Sequence, residues 1–337
     1  MTRSPDHPIH KVLIATEHPL KLYVAPEWFA QRLRKDFPSL EVVEVKKFAH
    51  VDREIADTDV LYSQSLSREQ FLAARRLRWI HSQAAAVHQF MYPELIESDV
   101  ILTNGREVHA PVVAEQVMAM IFALARRIPE SVRFQLKHVW AQGIFWDEGI
   151  SPTEVADATV GLVGVGSIGR NVAQRASAMG MKVIAVREHP ESPKPEHVDE
   201  VFPTSRLNDL LGKSDYVVLS PPLTPATHGM IGRDQFAAMK KKAYLINVGR
   251  GPLVDEGALT QALRERKIAG AALDVFDQEP LPPESPLWDL ENLLITPHTG
   301  GMTEKMWDRH YAVFTENLRR YLADQPLLAV VDKRAGY

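Results

Sequence analysis

The sequence predicts an α/β protein with doubly wound parallel sheets, and three observations support this fold class. Short apolar β-rich runs alternate with amphipathic helical stretches along most of the chain. The chain has 337 residues, enough for two domains of ordinary size. A glycine-rich turn, Gly164–Gly169, joins a β-rich run to a helical stretch.

The first part of the chain supplies one predicted sheet. Its expected strands are Val12–Ala15, Glu41–Val45, Val60–Tyr62, Trp79–His81 and Val100–Leu102, with helices at Ala25–Leu33 and Arg68–Arg75. A longer helix is predicted over Pro111–Arg127, with Pro111 in its first turn and Glu115 near its positive end. Since its middle is apolar all round, this helix lies either in a core or between two domains or subunits.

The second part supplies another alternating region. We expect residues 130–157 to be irregular and rich in aromatic residues. The strands that follow are predicted at Thr159–Val163, Lys182–Val186, Tyr216–Leu219, Ala243–Asn247, Gly270–Asp274 and Leu293–Thr296. Six such strands suit a dinucleotide-binding sheet. The helical tail Glu304–Leu322 is expected to pack on the first domain.

Composition excludes several classes of protein. The net charge of -4 gives no basic surplus for nucleic acid. With 0 cysteines, the chain has no disulfide, thiolate metal site or cysteine nucleophile, and no metal site is predicted. The N-terminus shows no signal-peptide apolar region, and the most apolar run, Val117–Ala125, is too short to span a bilayer. We therefore predict a cytoplasmic protein without a membrane partner.

The glycine turn predicts a dinucleotide cofactor. Gly164 permits a tight turn, Gly166 lets the backbone approach a pyrophosphate, and Gly169 allows helix and strand to pack closely. The helix N-terminus offers N–H groups, notably those of Ser167 and Ile168, to the phosphates. The alternative is a glycine turn that is only structural.

The end of the next strand bears on the choice of cofactor. An acidic residue that bonds the ribose 2′-hydroxyl is expected there, but the sequence has Arg187, which can pair with a 2′-phosphate. This favours NADP(H) over NAD(H). In the alternative, Arg187 lies over the adenine and Glu188 holds the ribose.

Three chemical residues follow three neighbouring strands. His298 can exchange the proton that accompanies hydride transfer, and a carboxylate such as Glu279 on its other ring nitrogen would orient it. Arg250 can grip a carboxylate and polarise an adjacent carbonyl. Any one of them alone would more often be an ordinary surface residue. Together, at the carboxyl ends of one sheet, they predict hydride transfer to an anionic carbonyl compound.

The chain resembles the D-isomer-specific 2-hydroxyacid dehydrogenases over nearly its whole length. The stretches that carry the resemblance are Gly164–Gly169, Ser220–Thr227, Leu245–Val254, Ala272–Pro280 and Thr296–Gly301. The resemblance implies two Rossmann-like domains, with a cofactor domain inserted into a flavodoxin-like substrate domain. The substrate domain is then 1–110 with 304–337, and the NAD(P)-binding domain is 111–303, including the linking helix 111–127.

The resemblance also implies roles for individual residues. Arg250 binds the 2-oxo acid, Glu279 supports His298, and His298 is the acid and base. The implied cofactor contacts are Asp274 on the nicotinamide amide, with Pro221, Thr227, Val248, Gly249 and Gly300 nearby. The family's substrate-carboxylate loop falls on Ala84–Val87, including Ala85 and Ala86, where relatives are richer in glycine, so the pocket is expected to be tighter or stiffer.

Departures from the family pattern narrow the subclass. Glu279 argues against formate dehydrogenase, and an end at Tyr337 argues against the long phosphoglycerate dehydrogenases. Arg187 makes the chain similar to glyoxylate/hydroxypyruvate reductases that use NADPH. The resemblance implies a homodimer, in which Trp140–Trp146 is either a dimer arm or core packing.

The predicted function is reduction of a small 2-oxo acid, of the glyoxylate, hydroxypyruvate or pyruvate type, to the D-2-hydroxy acid. The alternatives are a dinucleotide-sensing, corepressor-like binding protein and a dehydrogenase of an oxyanion such as phosphite. Trp288, Met302, Met306 and Trp307 either shape the pocket or belong to the core.

Overall fold

The computed structural model describes residues 9–147 and 150–337, so the predicted lack of a signal segment at residues 1–8 lies outside the described residues. The chain divides into two compact units, Met1–His109 with Thr303–Tyr337, and Ala110–Met302. Their assignment as substrate and cofactor domains stays a prediction.

The first unit is built on a five-stranded parallel sheet in the order β2-β1-β3-β4-β5. Its strands are β1 (Lys11–Ala15), β2 (Glu41–Val45), β3 (Val60–Ser63), β4 (Trp79–Ser82) and β5 (Ile101–Asn104). Its helices are α1 (Glu27–Asp36), α2 (Val51–Glu54), α3 (Arg68–Ala73) and α4 (Pro93–Ile96). Apolar side chains fill one core on each face of the sheet.

Three helices precede the second sheet: α5 (Arg106–Ala125), α6 (Ile128–Leu136) and α7 (Gln142–Asp147). The prediction for residues 130–157 is wrong in part, because α6 and α7 lie where irregular chain was expected. Ile128, Val132 and Leu136 recur at four-residue spacing, a helical signal. Trp140 and Trp146 are 89% and 79% exposed, which excludes core packing within this chain.

The second unit contains a seven-stranded parallel sheet in the order β12-β11-β10-β9-β6-β7-β8. Its strands are β6 (Thr159–Val163), β7 (Lys182–Arg187), β8 (Glu200–Pro203), β9 (Tyr216–Leu219), β10 (Tyr244–Asn247), β11 (Gly270–Leu273) and β12 (Leu293–Ile295). Its remaining helices are α8 (Ser167–Ala178), α9 (Leu207–Lys213), α10 (Arg233–Ala238) and α11 (Glu256–Arg264). Cores lie on both faces of the sheet. The two parallel-sheet units confirm the predicted fold class.

One strand of this sheet was missed by the prediction. β8 is an edge strand of four residues, Glu200–Pro203, in which only Phe202 is fully buried. An edge strand pairs with a neighbour on one side only, so it needs no long apolar run. Pro203 is its last residue, as suits an edge strand.

Helix α5 differs from its prediction at the start. It begins at Arg106, after Asn104 Oδ1 accepts a hydrogen bond from the Arg106 N–H at 3.4 Å. Pro111 therefore lies inside the helix, and Glu115 forms an ion pair with Arg175 at 3.6 Å instead of marking the helix start.

The apolar length of α5 also exceeds the prediction. By length and composition it is the one described helix that could cross a membrane, but 56% of its apolar window is buried. Its side chains from Val113 to Ala125 pack with those of β6, β7 and β9 in one core of the second unit. A core helix passes the same test of length and composition, so the finding does not indicate a membrane span.

The last helix, α12 (Met306–Leu322), packs on the first unit, which confirms that prediction. Phe314 stacks edge-on to Tyr62 with ring centroids 4.9 Å apart, and Tyr311 does the same to Phe29 at 5.4 Å. Met306 is buried, and the Trp307 Nε1–H donates to the Leu22 carbonyl at 2.9 Å. Met306 and Trp307 are therefore core residues of this unit.

Two histidines in this core should make the protein sensitive to acid. Burial lowers the pKa of His81 to about 3 and holds the pKa of His310 well below its usual value. Both rings stay neutral when folded, while the unfolded chain takes up protons below about pH 6.5. The free energy of unfolding should then fall by about 1.4 kcal/mol per pH unit for each histidine, from about pH 6.5 down to the folded pKa.

His310→Phe tests this expectation, because neither ring nitrogen of His310 has a hydrogen-bond partner among the described residues. Urea unfolding between pH 5 and 7 should show a smaller pH slope in this variant. The exposed His88→Gln variant is the control and should keep the wild-type slope. An unchanged slope in His310→Phe would mean that His310 does not contribute.

Candidate active site

The carboxyl edge of the seven-stranded sheet gathers the predicted chemical residues, since all its strands run parallel. Arg250 follows β10, Asp274 directly follows β11, and His298 follows β12. The glycine turn follows β6, next to β9, where the strand order changes direction. Open α/β sheets bind ligands at this kind of switch point.

His298 and Glu279 are in direct contact. The His298 Nδ1 lies 2.5 Å from Glu279 Oε2, and Glu279 Oε1 accepts the Phe276 N–H at 3.0 Å. Both carboxylate oxygens are thus engaged, which fixes the ring. With Nδ1–H donating to the carboxylate, Nε2 is left to exchange a proton. The His298 side chain is 51% exposed, so Nε2 can be reached from solvent.

The loop that carries His298 is fastened to Asp274. His298 has a left-handed backbone, with φ 54°. Asp274 Oδ1 accepts from the Thr296 hydroxyl at 2.5 Å and the Thr299 N–H at 3.0 Å, and Oδ2 accepts from the Gly300 N–H at 2.9 Å. The Gly300 N–H is therefore already committed, and the predicted cofactor contact of Gly300 stays a prediction.

Arg250 is a partly buried cation. Asn247 donates from Nδ2 to the Arg250 carbonyl at 2.9 Å, and the guanidinium donates from Nη1 to the Gly249 carbonyl at 2.6 Å. Burial lowers the pKa of Arg250, and the charge of Glu279 opposes that shift. No described carboxylate lies within 4.0 Å of this guanidinium. A cation that is desolvated without a close counter-ion favours an anionic ligand.

The Arg250 loop passes very close to the Glu279 loop. A Cβ added at Gly251 would lie 1.9 Å from the Phe276 carbonyl carbon and 2.0 Å from its oxygen. Only glycine fits there without moving one of the two loops.

Gly251→Ala should therefore destabilise the protein by about 1–3 kcal/mol or more. It should also lower kcat/KM, because the two loops carry Arg250 and Glu279. Thermal unfolding and steady-state kinetics measure both effects. Gly212→Ala is the matched control, since its Cβ would meet the Ala238 carbonyl oxygen only at 3.5 Å. Equal stability of the two variants would show that the loops can separate freely.

The glycine turn has the geometry of a dinucleotide turn. Gly164 has φ 92°, and a Cβ there would lie 3.0 Å from the Pro221 nitrogen. A Cβ on Gly169 would lie 2.4 Å from the Gly164 oxygen, whereas a Cβ on Gly166 would meet open space. Helix α8 begins directly after Gly166, and a helix N-terminus is a suitable site for a pyrophosphate.

The other predicted cofactor residues lie along the same edge. Pro221 borders Gly164, and Val248 is buried. The Gly249 N–H donates to Asn247 Oδ1 at 3.1 Å. The Thr227 hydroxyl donates to the Pro222 carbonyl at 2.7 Å. Of these residues Pro221 borders the turn, and the contacts of all four with a cofactor stay predictions.

Arg187, the last residue of β7, is bound to its own loop. Its Nη2 donates to the carbonyls of Ser192 and Pro193, and its buried Nε has no partner in the part of the chain that the structure describes. The guanidinium therefore stabilises the loop after β7 while keeping one unused donor.

The predicted substrate loop, Ala84–Val87, belongs to the first unit. Its carbonyls are engaged: Ala84 accepts from the Gly105 N–H at 3.2 Å, and Ala85 accepts from Asn104 Nδ2 at 2.7 Å. In the described chain none of its N–H groups has an acceptor, and none of its residues has a positive φ. Alanine therefore fits this backbone without strain, so a loop with fewer glycines has no conformational cost here.

Comparison with known proteins places the chain in a family. The model for "D-isomer specific 2-hydroxyacid dehydrogenase, NAD binding domain" matches residues 118–300. A glyoxylate/hydroxypyruvate reductase B from Pectobacterium carotovorum is 41% identical, over 69% of this chain and 72% of the relative. A D-3-phosphoglycerate dehydrogenase from Methanocaldococcus jannaschii is 36% identical over 80% of this chain, which spans only 50% of that relative.

A solved structure gives the same result. The NADPH-dependent glyoxylate/hydroxypyruvate reductase from Sinorhizobium meliloti, in complex with NADP and sulfate, matches with a TM-score of 0.80 and 28% identity. The match covers 97% of this chain and 100% of that chain.

The chain belongs to the D-isomer specific 2-hydroxyacid dehydrogenase family. This dehydrogenase is an NAD(P)-dependent oxidoreductase that acts on CH–OH groups. The enzyme assignment rules against the corepressor-like alternative. Prediction from sequence missed Thr296 and Gln116, whose Nε2–H donates to the Thr296 hydroxyl at 3.2 Å. The one signal in the sequence that could have indicated Thr296 is its position directly after β12.

Proposed function

We propose that this dehydrogenase reduces a small 2-oxo acid, of the glyoxylate, hydroxypyruvate or pyruvate type, to the D-2-hydroxy acid. The observation that carries the proposal is the 2.5 Å contact between His298 Nδ1 and Glu279 Oε2. This contact leaves His298 Nε2 to exchange a proton at the carboxyl edge of the seven-stranded sheet. The names of the relatives from Pectobacterium and Sinorhizobium support this substrate class.

Each residue has a defined part in this proposal. The dihydronicotinamide, when bound, supplies the hydride that adds to C2 of the substrate. His298 donates the Nε2 proton to the carbonyl oxygen as that oxygen gains negative charge. Glu279 stabilises the positive charge on the ring before the transfer and holds the ring in place. Arg250 binds the carboxylate and stabilises the oxygen.

The substrate loop is proposed to bind the carboxylate through its main chain. Among the described residues the N–H groups of Ala84–Val87 have no acceptor, while the Ala84 and Ala85 carbonyls accept hydrogen bonds from Gly105 and Asn104. A run of free N–H groups is a suitable site for an anion.

NADP(H) is the proposed preferred cofactor, with NAD(H) as the possible alternative. Arg187 ends β7, where the ribose 2′ position is expected, and its guanidinium can pair with a 2′-phosphate. The exposed Glu188 opposes this preference, since its charge would repel a 2′-phosphate.

Arg187→Ala should lower kcat/KM for NADPH by about 10- to 100-fold, the value of a hydrogen bond to a charged group. Efficiency with NADH should change little. Kinetics with both cofactors measure the effect, and the exposed Arg264→Ala variant serves as control. An equal loss with both cofactors would indicate that Arg187 only holds its loop.

A cytoplasmic homodimer is also part of the proposal. The surface of α6 and α7 exposes Leu136, Trp140 and Trp146, an apolar set suited to a second copy of the chain. Light scattering at micromolar concentration would measure the mass, and a monomer would contradict the dimer.

Steady-state kinetics on a panel of 2-oxo acids, with NADPH and NADH side by side, tests the proposed function. The proposal expects turnover of at least one small 2-oxo acid and none of phosphite. Oxidation of phosphite without reduction of 2-oxo acids would replace it with the oxyanion dehydrogenase.

A further inference from the structure

A chain of hydrogen bonds runs from helix α5 to the loop that carries His298. Gln116 of α5 donates from Nε2 to the Thr296 hydroxyl at 3.2 Å, and that hydroxyl donates to Asp274 Oδ1 at 2.5 Å. Asp274 in turn accepts the N–H groups of Thr299 and Gly300. The Thr296 hydroxyl is the one group that both accepts from the helix and donates to the carboxylate.

This network encloses the unusual backbone of His298. Residues 296, 299 and 300 are all fixed to one carboxylate that is only 3% exposed, and His298, with φ 54°, lies between them. A left-handed non-glycine residue is sparsely populated unless the surroundings impose it. No described hydrogen bond holds the His298 ring except the contact with Glu279.

The hydrogen bonds that Asp274 accepts bear on two possible roles. Three of its acceptor positions are occupied by the His298 loop, and a Cβ on Gly300 would lie 2.7 Å from Oδ2. A residue whose main role was to bind the nicotinamide amide would not need three bonds to one loop. These contacts favour a part in shaping the His298 loop.

We propose that Thr296 and Asp274, anchored by Gln116, are positioning residues that hold His298 against Glu279. This inference rests on the proposed function, in which His298 is the acid and base. Neither Thr296 nor Gln116 touches the reacting atoms in this account. Thr296 and Gln116 contribute by holding the His298 ring in one position, with the proton on Nδ1 and with Nε2 facing the substrate in the proposed mechanism.

Thr296→Val is the decisive variant, because it keeps the shape of the side chain and removes only the hydroxyl. We expect kcat to fall by about 10- to 100-fold, with little change in KM for NAD(P)H. Thr296→Ser should restore most of the activity. Thr315→Val is the matched control, since that buried hydroxyl bonds only to carbonyls of its own helix.

A second measurement does not depend on turnover. Nitrogen-15 NMR of the imidazoles, without cofactor, reports which ring nitrogen carries the proton. The His298 signal is identified by its absence from His298→Asn. The wild type should show the Nδ1–H form, bound to Glu279, and Thr296→Val should show a mixture of forms. Gln116→Leu should show the same change to a smaller degree.

Asp274→Asn tests the rival role. If Asp274 positions the loop, Asp274→Asn and Thr296→Val should lower kcat non-additively when combined. A rise confined to KM for NAD(P)H would overturn the inference and return Asp274 to the nicotinamide. Wild-type kcat and an unchanged proton position in Thr296→Val would overturn it as well.

The two proposals can fail separately. If the wild type reduces no 2-oxo acid, the proposed function fails, and the NMR comparison still decides whether Thr296 holds the ring. If the wild type is active and Thr296→Val is indistinguishable from it by both measurements, only the positioning role fails.

Discussion

His298→Asn is expected to lower kcat by about a hundred- to ten-thousand-fold, the usual contribution of a positioned acid or base. KM for the cofactor should change little, because the variant removes a proton donor rather than a binding group. Asparagine is chosen because it tolerates the left-handed backbone of His298, φ 54°, better than alanine does. Steady-state kinetics on the best 2-oxo acid measures the loss.

The chain offers a close control for this substitution. His197 is exposed and has a similar backbone, with φ 61°, but it precedes β8, at the opposite edge of the sheet from β12. His197→Asn should leave kcat unchanged. Glu279→Gln should lower kcat less than His298→Asn does, because the imidazole remains. Near-full turnover by His298→Asn would contradict the mechanism.

Arg250→Ala is expected to lower kcat/KM by about 30- to 5,000-fold, since truncating a desolvated charge that binds an anion costs about 2–5 kcal/mol. Both kcat and KM should change, because in the proposed mechanism the guanidinium binds the carboxylate and the reacting oxygen. Arg250→Lys should recover little, because an ammonium cannot make the two parallel hydrogen bonds.

A measurement of unfolding stability distinguishes this loss of kcat/KM from misfolding of the variant. Burial already lowers the pKa of Arg250, so loss of its charge relieves a desolvation cost. We expect Arg250→Ala to unfold at the same urea concentration as the wild type or a higher one. A variant as active as the wild type would show that the anion binds elsewhere.

Much of the site could be predicted from sequence because it depends on local rules. Gly164–Gly169 follows a β-rich run directly, and parallel strands bring the segments after β10, β11 and β12 to one edge. These rules place Arg250, Glu279 and His298 without knowledge of the packing.

Features that depend on register and packing could not be predicted. The bonds of Asp274 to Thr296 exist because β11 and β12 pair with Leu273 beside Ile295. The edge strand β8 lacks an apolar run, and the helix α5 starts where Asn104 happens to accept the Arg106 N–H. The sequence predicts a cofactor contact for Arg187, but it does not show that the guanidinium is bound to the carbonyls of its own loop.

The loop Ala84–Val87 has a consequence for how this enzyme can evolve. Its unbonded donors belong to the main chain, so ordinary substitutions change the side chains around a ligand and leave the donors in place. Proline is the exception, because it has no N–H. Recognition of a negative charge at this proposed carboxylate site would therefore withstand most mutations, while the preference for one acid over another could change.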